Sequence, residues 1–259
     1  MGEMSGKVVL VTGGTSGIGR AAAHAFATAG AAVAIAGRRA GPGESVLREL
    51  EASGAPAIFV RADVTRAHDV MRLVDEVVSR FGRLDCAFNN AASIEAGLGK
   101  DTAEVEEAEF DRALEIGLKS VWLCMKHELR QMVAQGGGGA IVNTSSVNGF
   151  RGSPNAAPYA AAKAGVISLT TAAAAEYARH AIRVNAIAPG VIDTPMQDQV
   201  AQLAGGGASA RARAAGAAPL GRMGLASEAA AAVLWLCSGA AAYVTGHTLV
   251  VDGGLTTIR

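Results

Sequence analysis

Residues 8–19 read Val8-Val9-Leu10-Val11-Thr12-Gly13-Gly14-Thr15-Ser16-Gly17-Ile18-Gly19, and this stretch decides the fold class. The apolar run at 8–11 predicts a buried strand, and residues 20–29 carry a helical pattern that Gly30 ends. Glycines between a strand and a helix let a pyrophosphate approach the main chain, where the helix N-terminus offers free N–H groups. This order of elements favours a dinucleotide-binding unit over a tight turn without a ligand.

The same alternation of short apolar runs and helix-length segments continues along the chain. Strands that are apolar on both faces belong to parallel sheets covered by helices, and right-handed crossovers make such a sheet doubly wound. We therefore expect one α/β domain over residues 1–259, with a loose, Ala- and Gly-rich stretch at 201–218 inside a mobile substrate lid at 193–224. The further predicted strands are residues 33–36, 58–60, 84–88, 140–143, 183–188 and 248–251.

Composition and charge exclude several classes of protein. The 259 residues include 23 Lys and Arg against 23 Asp and Glu, so the chain lacks the basic excess typical of nucleic-acid and membrane-surface binding. Hydrophobic residues make up 50% of it, which excludes intrinsic disorder. Its three cysteines form no Cys-x-x-Cys pair, and neither a leader sequence nor a membrane span is evident. We expect a cytoplasmic protein without a disulfide or a metal site.

The glycine spacing Gly13-x-x-x-Gly17-x-Gly19, preceded by Thr12, resembles that of the short-chain dehydrogenase/reductase family. The resemblance implies a doubly wound Rossmann fold, with a seven-stranded parallel sheet flanked by helices on both faces, and usually a homotetramer. It also implies an NAD(P)-dependent oxidoreductase that interconverts a ketone and a secondary alcohol. The other matching motifs, in chain order, are Asp63-Val64, Asn89-Asn90-Ala91-Ala92, Ser146, Tyr159-Ala160-Ala161-Ala162-Lys163, and residues 185–190 with Thr194.

The resemblance also assigns the residues that hold the cofactor. Asp63 would receive the adenine amino group with Val64 beside it, although from its spacing alone Asp63 could merely cap the next helix. The backbone of Asn90 would contact the ribose side. The full expected set is Gly13, Thr15, Ser16, Gly17, Ile18, Gly19, Arg38, Arg39, Asp63, Val64, Asn90, Tyr159, Lys163, Pro189, Gly190, Ile192 and Thr194.

Arg38 and Arg39 decide the expected cofactor. They follow the second predicted strand, where a carboxylate would bind the adenosine ribose hydroxyls and a basic residue would neutralise a 2′-phosphate. No carboxylate occurs there before Glu44. We therefore favour NADP(H), with Arg38 as the principal partner of the phosphate. The alternative is that both arginines are solvated loop charges and that the enzyme uses NAD(H).

Tyr159 and Lys163 are four residues apart in a helical pattern, so they share one helix face. A nearby ammonium and an oxidised nicotinamide would both lower the pKa of Tyr159, allowing it to act as a general acid or base. In the family, Lys163 would also hold the nicotinamide ribose. Ser146 would donate a hydrogen bond to the substrate oxygen, whereas Ser145 is expected to be structural.

Gly117 departs from the family pattern. The run Glu115-Ile116-Gly117-Leu118-Lys119 has glycine where the family usually has an asparagine that holds a proton-relay water. Helical propensity does not favour this glycine. Either water fills the gap or turnover is impaired, so the alternative to an enzyme is a nucleotide-binding regulator. The mainly apolar segment 193–224 favours an uncharged substrate, although Arg211 and Arg213 lie within it.

Overall fold

The computed structural model describes residues 2–93, 98–203 and 205–257. The strands are β1 (Val8–Thr12), β2 (Ala32–Gly37), β3 (Ala57–Arg61), β4 (Cys86–Asn89), β5 (Gly139–Thr144), β6 (Ile182–Pro189), β7 (Ile192–Asp193), β8 (Gly224–Leu225) and β9 (Thr248–Val251). The α-helices are α1 (Gly17–Thr28), α2 (Ala40–Ala52), α3 (Ala67–Phe81), α4 (Glu107–Leu114), α5 (Ser120–Gln135), α6 (Ala157–Tyr177), α7 (Pro195–Leu203), α8 (Gly207–Gly216) and α9 (Ala226–Cys237). A π-helical turn, Glu115–Lys119, joins α4 to α5.

Seven of the strands form a parallel sheet in the order β3-β2-β1-β4-β5-β6-β9. β1 pairs with β2 on one side and with β4 on the other, so the chain reverses its direction of progress across the sheet at β1. Ligands of doubly wound sheets bind in the crevice at this switch point. The order of the strands confirms the predicted Rossmann fold.

Alternate residues of β1 enter two different cores. Val9 and Val11 pack with Phe26 of α1 and with residues of α2 and α9 on one face of the sheet. Val8 and Leu10 pack with residues of α3, α5 and α6 on the other face. Successive strand side chains point to opposite faces, so a strand that is apolar throughout requires helices on both. None of the helices in the described ranges combines the length and apolarity needed to cross a bilayer.

Each of the seven predicted strands is present, most of them one residue longer at one end or both. Helix α1 begins at Gly17, earlier than the predicted residue 20. The expectation of a loose segment at 201–218 is wrong, because α7 extends to Leu203 and α8 covers Gly207–Gly216. Alanine is the strongest helix former, so an Ala-rich stretch is compatible with helices.

Candidate active site

A cleft of about 920 Å³ opens at the carboxyl ends of the central strands. Residues from distant parts of the sequence meet there, because parallel strands all end at the same edge of the sheet. Of the predicted site residues, Gly19 alone does not line this cleft. Those that line it are Gly13, Thr15, Ser16, Gly17, Ile18, Arg38, Arg39, Asp63, Val64, Asn90, Ser146, Tyr159, Lys163, Pro189, Gly190, Ile192 and Thr194.

Glycines in the loop after β1 and in the first turn of α1 occupy positions where a side chain would clash or where the φ angle is positive. Gly13 and Gly17 have positive φ angles of 65° and 52°. A Cβ atom on Gly13 would lie 2.8 Å from Cα of Ala91, and one on Gly19 would lie 2.2 Å from the Gly13 carbonyl oxygen. Gly19 thus packs α1 against the loop, while Gly13 and Gly17 keep the backbone at the start of α1 open. This open cradle fits the pyrophosphate of a dinucleotide.

Polar side chains at or just after the carboxyl ends of β1, β4 and β5 form hydrogen bonds that fix the backbone at the floor of the cradle. The Thr12 hydroxyl oxygen accepts hydrogen bonds from the backbone N–H groups of Asn90 (3.1 Å) and Ala91 (3.3 Å). Asn90 Nδ2 donates to the Gly13 carbonyl (3.4 Å), and the Thr144 hydroxyl donates to Asn90 Oδ1 (3.4 Å). Thr12 and Thr144 were not predicted as site residues. The sequence feature that could have identified them is a polar residue at the end of an otherwise apolar strand.

The far end of the cleft carries the charged residues predicted to select the cofactor. Arg38 and Arg39 are exposed, and Arg39 is the residue before α2. Asp63 Oδ1 accepts from the backbone N–H (3.1 Å) and the hydroxyl (2.8 Å) of Thr65. Helix α3 begins only at Ala67, so Asp63 closes the preceding turn. Burial raises the pKa of Asp63, but the Thr65 hydrogen bonds and the Arg38 charge outweigh it, leaving this pKa below its usual value.

The predicted catalytic residues meet at the other end of the cleft. Tyr159 and Lys163 lie on α6, with Lys163 Nζ 5.7 Å from the centroid of the Tyr159 ring. The ammonium of Lys163 donates to the Thr144 carbonyl (2.9 Å). Ser146 lies near enough to Tyr159 to lower the pKa of its hydroxyl, and the Ser145 hydroxyl donates to the Lys163 carbonyl (2.9 Å). Ser146 therefore contacts the candidate acid, whereas Ser145 ties β5 to α6.

Burial controls the acid–base properties of this group. It lowers the pKa of Lys163 to about 8. It also raises the pKa of Tyr159, which the hydrogen bond from Ser146 only partly offsets. In the protein alone, the pKa of Tyr159 is therefore raised, whereas the sequence predicted a lowered pKa. That expectation included the positive charge of an oxidised nicotinamide as well as that of Lys163.

Gly117 lies in the π-helical turn against α6. A Cβ atom at this position would be 2.8 Å from Cβ of Ala162, the residue before Lys163. Gly165, one turn further along α6, is equally close to Leu118. Helical propensity does not favour glycine at 117, but tertiary packing does, because a larger residue would push α6 away from the turn. Gly117 brings the helix that carries Tyr159 and Lys163 close to the end of α4.

A glycine cradle at the switch point of a parallel sheet, joined by one cleft to a Ser–Tyr–Lys group, defines a dinucleotide-dependent oxidoreductase. Comparison with known proteins gives the family. A family model described as enoyl-(acyl carrier protein) reductase matches residues 13–256. The chain belongs to the short-chain dehydrogenase/reductase family.

Three relatives illustrate the similarity. The chain is 42% identical over 258 residues to 2,5-dichloro-2,5-cyclohexadiene-1,4-diol dehydrogenase of Sphingobium indicum, with both proteins covered completely. It is 44% identical over 262 residues to cis-4-hydroxycyclohexanecarboxylate dehydrogenase of Sinomonas cyclohexanicum, again with complete coverage. The crystal structure of levodione reductase is 38% identical, with a TM-score of 0.94 over 99% of this chain and 100% of that one.

The chain is an NAD(P)-dependent oxidoreductase that interconverts a secondary alcohol and a ketone. The relatives are named as dehydrogenases and reductases, and none of them favours the alternative of a nucleotide-binding regulator.

Proposed function

We propose that this enzyme prefers NADP(H), acts on an uncharged alicyclic alcohol or ketone, and uses Ser146, Tyr159 and Lys163 as its catalytic residues. One observation carries the proposal: Lys163 is only 2% exposed and lies against the ring of Tyr159, which together with Ser146 lines the cleft that continues to the glycine cradle.

The three side chains have distinct roles in the proposed reaction. Tyr159 protonates the substrate oxygen during reduction and accepts the proton during oxidation. Ser146 donates a hydrogen bond to the same oxygen, where negative charge develops. The positive charge of Lys163 favours the ionised form of Tyr159 and so eases the proton transfer. The bound nicotinamide supplies or accepts the hydride.

The preference for NADP(H) rests on the two exposed arginines at the adenosine end. Arg38 and Arg39 line the cleft together with Asp63, and two positive charges outnumber one carboxylate. A 2′-phosphate would find a complementary partner there. The ratio of kcat/KM with NADPH to that with NADH tests this preference, and a ratio below one would overturn it.

The substrate class is suggested by the relatives and by the lining of the cleft. Two of the relatives are named for six-membered alicyclic alcohols with a second oxygen-bearing group across the ring. The lining of the cleft includes the apolar side chains of Val191, Met196 and Val200. Arg211 pairs with Asp193 (2.7 Å) and with Asp198, so its charge is neutralised within the protein. The relatives support a six-membered ring, and the apolar lining with the neutralised charge of Arg211 supports an uncharged one, although one of these relatives is named for a carboxylate.

Arg213 also lines the cleft, so the substrate panel includes a charged compound. We propose that 4-hydroxycyclohexanecarboxylate is oxidised less efficiently than its methyl ester. The two compounds differ in the charge of one group and share the reacting carbon. A preference for the free acid would assign Arg213 to the recognition of a carboxylate and overturn the proposal of an uncharged substrate.

We propose that residues 193–224, which include α7 and α8, close over the cleft as a lid. Thr194 supports this role because its Cγ2 atom would be 3.2 Å from a Cβ on Gly17, so the two sides of the cleft already approach each other there. Binding of NADP+ should protect the peptide bonds after Arg211 and Arg222 from trypsin. Equal cleavage rates with and without NADP+ would contradict closure.

We also propose that the enzyme is a cytoplasmic homotetramer. One candidate interface is the face of α4, α5 and α6 that exposes Phe110 (41%) and Trp122 (43%). A second lies near α9 and β9, where Trp235 is 40% exposed and Tyr243 fully exposed. Two separate apolar faces suit the two kinds of two-fold contact in a D2 tetramer. Light scattering should give about four times 26.0 kDa, and a mass near 26.0 kDa would overturn the assignment.

A panel of alicyclic alcohols and ketones, followed by NAD(P)H absorbance in both directions, tests the proposed reaction. Binding of each dinucleotide is measured separately by fluorescence. We expect turnover with at least one ring alcohol or ketone, and faster turnover with the phosphorylated cofactor. Tight binding of the dinucleotide without turnover of any compound would favour the regulator and overturn the proposed roles of Ser146, Tyr159 and Lys163.

A further inference from the structure

A group of buried polar side chains lies under the active site and has no part in the proposed reaction. Glu128 of α5 and Asn143 of β5 are fully buried, as is Thr170 of α6, and Asn89 of β4 is 2% exposed. Glu128 was missed in the sequence, although it occurs seven residues after Val121 and four before Met132, on the apolar stripe of its helix. A buried carboxyl group needs partners that account for both of its oxygen atoms.

The Thr170 hydroxyl fixes which atoms of the neighbouring amides act as donors and which as acceptors. The Thr170 hydroxyl donates to the Val166 carbonyl (2.7 Å), so its oxygen is left to accept from Asn143 Nδ2 (3.0 Å). This assigns Asn143 Oδ1 as the acceptor for Asn89 Nδ2 (3.1 Å). The second hydrogen of Asn89 Nδ2 is donated to Glu128 Oε2 (2.9 Å). The orientation of both amides therefore follows from the Thr170 bond to its own helix.

Two acceptor atoms remain without a donor. Within the described ranges, Asn89 Oδ1 and Glu128 Oε1 are the buried side-chain atoms that lack a hydrogen-bond partner. Both belong to the one pair of side chains already joined through Nδ2 and Oε2. An ionised Glu128 would leave Asn89 Oδ1 and Glu128 Oε1 both without a donor, and it would bury a negative charge. A proton on Glu128 Oε1 supplies the one donor that both atoms lack.

We propose that Glu128 is protonated in the working enzyme and forms a two-point carboxylic acid–amide pair with Asn89, which positions the strand end that carries Asn90. In this pair the acid O–H donates to Asn89 Oδ1, and Asn89 Nδ2 donates to the acid carbonyl oxygen. The positioning role rests on the proposed function, whereas the pair itself is a property of the fold.

The surroundings of Glu128 favour the neutral form. Burial raises the pKa of Glu128 to about 8, and the hydrogen bond from Asn89 offsets only part of this increase. The thiol of Cys124, one turn earlier on α5, has its pKa raised by burial, so it places no negative charge beside Glu128. From α6, the ammonium of Lys163 is directed to the Thr144 carbonyl. Asp75 of α3 and Lys126 and Arg130 of α5 act on half-buried His127.

The pair is connected to the active site through neighbouring residues. Asn89 precedes Asn90, whose N–H and side chain hold the floor of the cradle. Asn143 precedes Thr144, whose carbonyl accepts from Lys163 and whose hydroxyl donates to Asn90. Ionisation of Glu128 would remove one of the two bonds that join it to Asn89 and leave the bond to Asn143 in place. Glu128 is therefore a positioning residue rather than a catalytic one.

The variant Glu128→Gln tests whether Glu128 is protonated, because glutamine can mimic the protonated acid but cannot ionise. A glutamine amide can donate to Asn89 Oδ1 and accept from Asn89 Nδ2, so this variant reproduces the pair without a titrating proton. The control is Met132→Leu, one turn further along the same buried stripe of α5. Infrared spectroscopy should detect a protonated carboxyl band at pH 7 in the wild type and in Met132→Leu that is missing from Glu128→Gln.

Thermal unfolding provides a second readout that needs no turnover. Folded wild type keeps the Glu128 proton up to a pH of about 8, whereas an unfolded glutamate loses it near 4.5, the ordinary value. Between these limits the folded state binds more protons, so a rise in pH destabilises the wild type. We expect the unfolding midpoint of Glu128→Gln to rise relative to that of the wild type between pH 5 and 8 and the difference to stay constant above pH 8. The difference for Met132→Leu should not depend on pH.

Kinetics test the positioning role. From pH 7 to 9.5 the KM for the dinucleotide should rise several-fold more in the wild type than in Glu128→Gln, whereas Met132→Leu should follow the wild type. A missing carboxyl band together with a pH-independent midpoint difference would overturn the pair. A band with parallel KM profiles would overturn the positioning role. The infrared and thermal-unfolding measurements use no substrate, so they test the acid–amide pair even if no turnover is found.

Discussion

The two ends of the cleft hold their positive charges in opposite ways. Lys163 is 2% exposed on the long helix α6, and its ammonium is directed by the Thr144 carbonyl. Arg38 and Arg39 are exposed between β2 and α2, where solvent and salt screen their charges. Interactions in a buried site are stronger than in water and depend more on distance and packing. The catalytic end should therefore tolerate few changes, while the adenosine end can be altered with small losses.

Removal of the proposed acid is expected to have the largest effect at the catalytic end. Tyr159→Phe should lower kcat by about 10² to 10⁴-fold, because positioned general acids contribute about that much, while the Kd for NADP+ stays nearly constant. Tyr177→Phe is the matched control, since Tyr177 ends the same helix and lies outside the cleft. Steady-state kinetics and fluorescence titration measure the two quantities. A wild-type rate in Tyr159→Phe would refute the role assigned to this residue.

Gly117→Asn tests how closely the catalytic helix must approach the π-helical turn. We expect a loss of about 1–3 kcal/mol in the free energy of unfolding, because Cβ atoms 2.8 Å apart at residues 117 and 162 force the helices to separate. Ala162→Gly in the same chain should recover part of that loss. Gly41→Asn is the control, since a Cβ there meets no atom within 4 Å.

The double variant that combines Gly117→Asn with Ala162→Gly also tests the proton relay. A large increase in kcat over the single variant Ala162→Gly would mean that glycine at 117 impairs the relay in the natural enzyme. An unchanged kcat would mean that the relay is intact.

A smaller effect is expected at the adenosine end. Arg38→Ala should reduce the preference for NADPH over NADH by about tenfold, which corresponds to the loss of one charge-assisted contact at an exposed site. The thermal midpoint and kcat should remain near those of the wild type, because Arg38 does not contact the catalytic group. The matched control is Arg48→Ala on α2, which lies outside the cleft. An unchanged cofactor ratio in Arg38→Ala would remove Arg38 from the phosphate site.

The smallest change is expected from the exposed ion pairs of the lid. Arg211→Ala should leave the thermal midpoint unchanged, because exposed ion pairs contribute little to stability. It should raise the KM for the substrate slightly, since Arg211 joins Asp193 at the start of the lid to Asp198 on α7. Arg72→Ala, which breaks an exposed pair with Glu76 on α3 outside both the lid and the cleft, is the control. A stable Arg211→Ala variant with unchanged KM would show that this pair does not position the lid.

The sequence predicted local features better than contacts between distant segments. The strands, the cradle and the Tyr159–Lys163 spacing were visible because each depends on residues within one turn or one strand. Thr12, Thr144 and Glu128 were missed because their partners lie 19 to 79 residues away in the chain. The segment 201–218 was misassigned because its alanines and glycines allow either a helix or a loop.

The doubly wound architecture, the glycine cradle and the Tyr159–Lys163 pair could be predicted from the residues alone. These depend on periodicity and on short spacings, which the covalent chain specifies directly, whereas the role of Ser146 came from the family resemblance. The packing of distant segments was needed to explain why residue 117 is glycine, how Lys163 is buried and directed, and that Glu128 faces Asn89. These features depend on the distance between elements packed in three dimensions, and burial, clashes and unpartnered atoms exist only after packing.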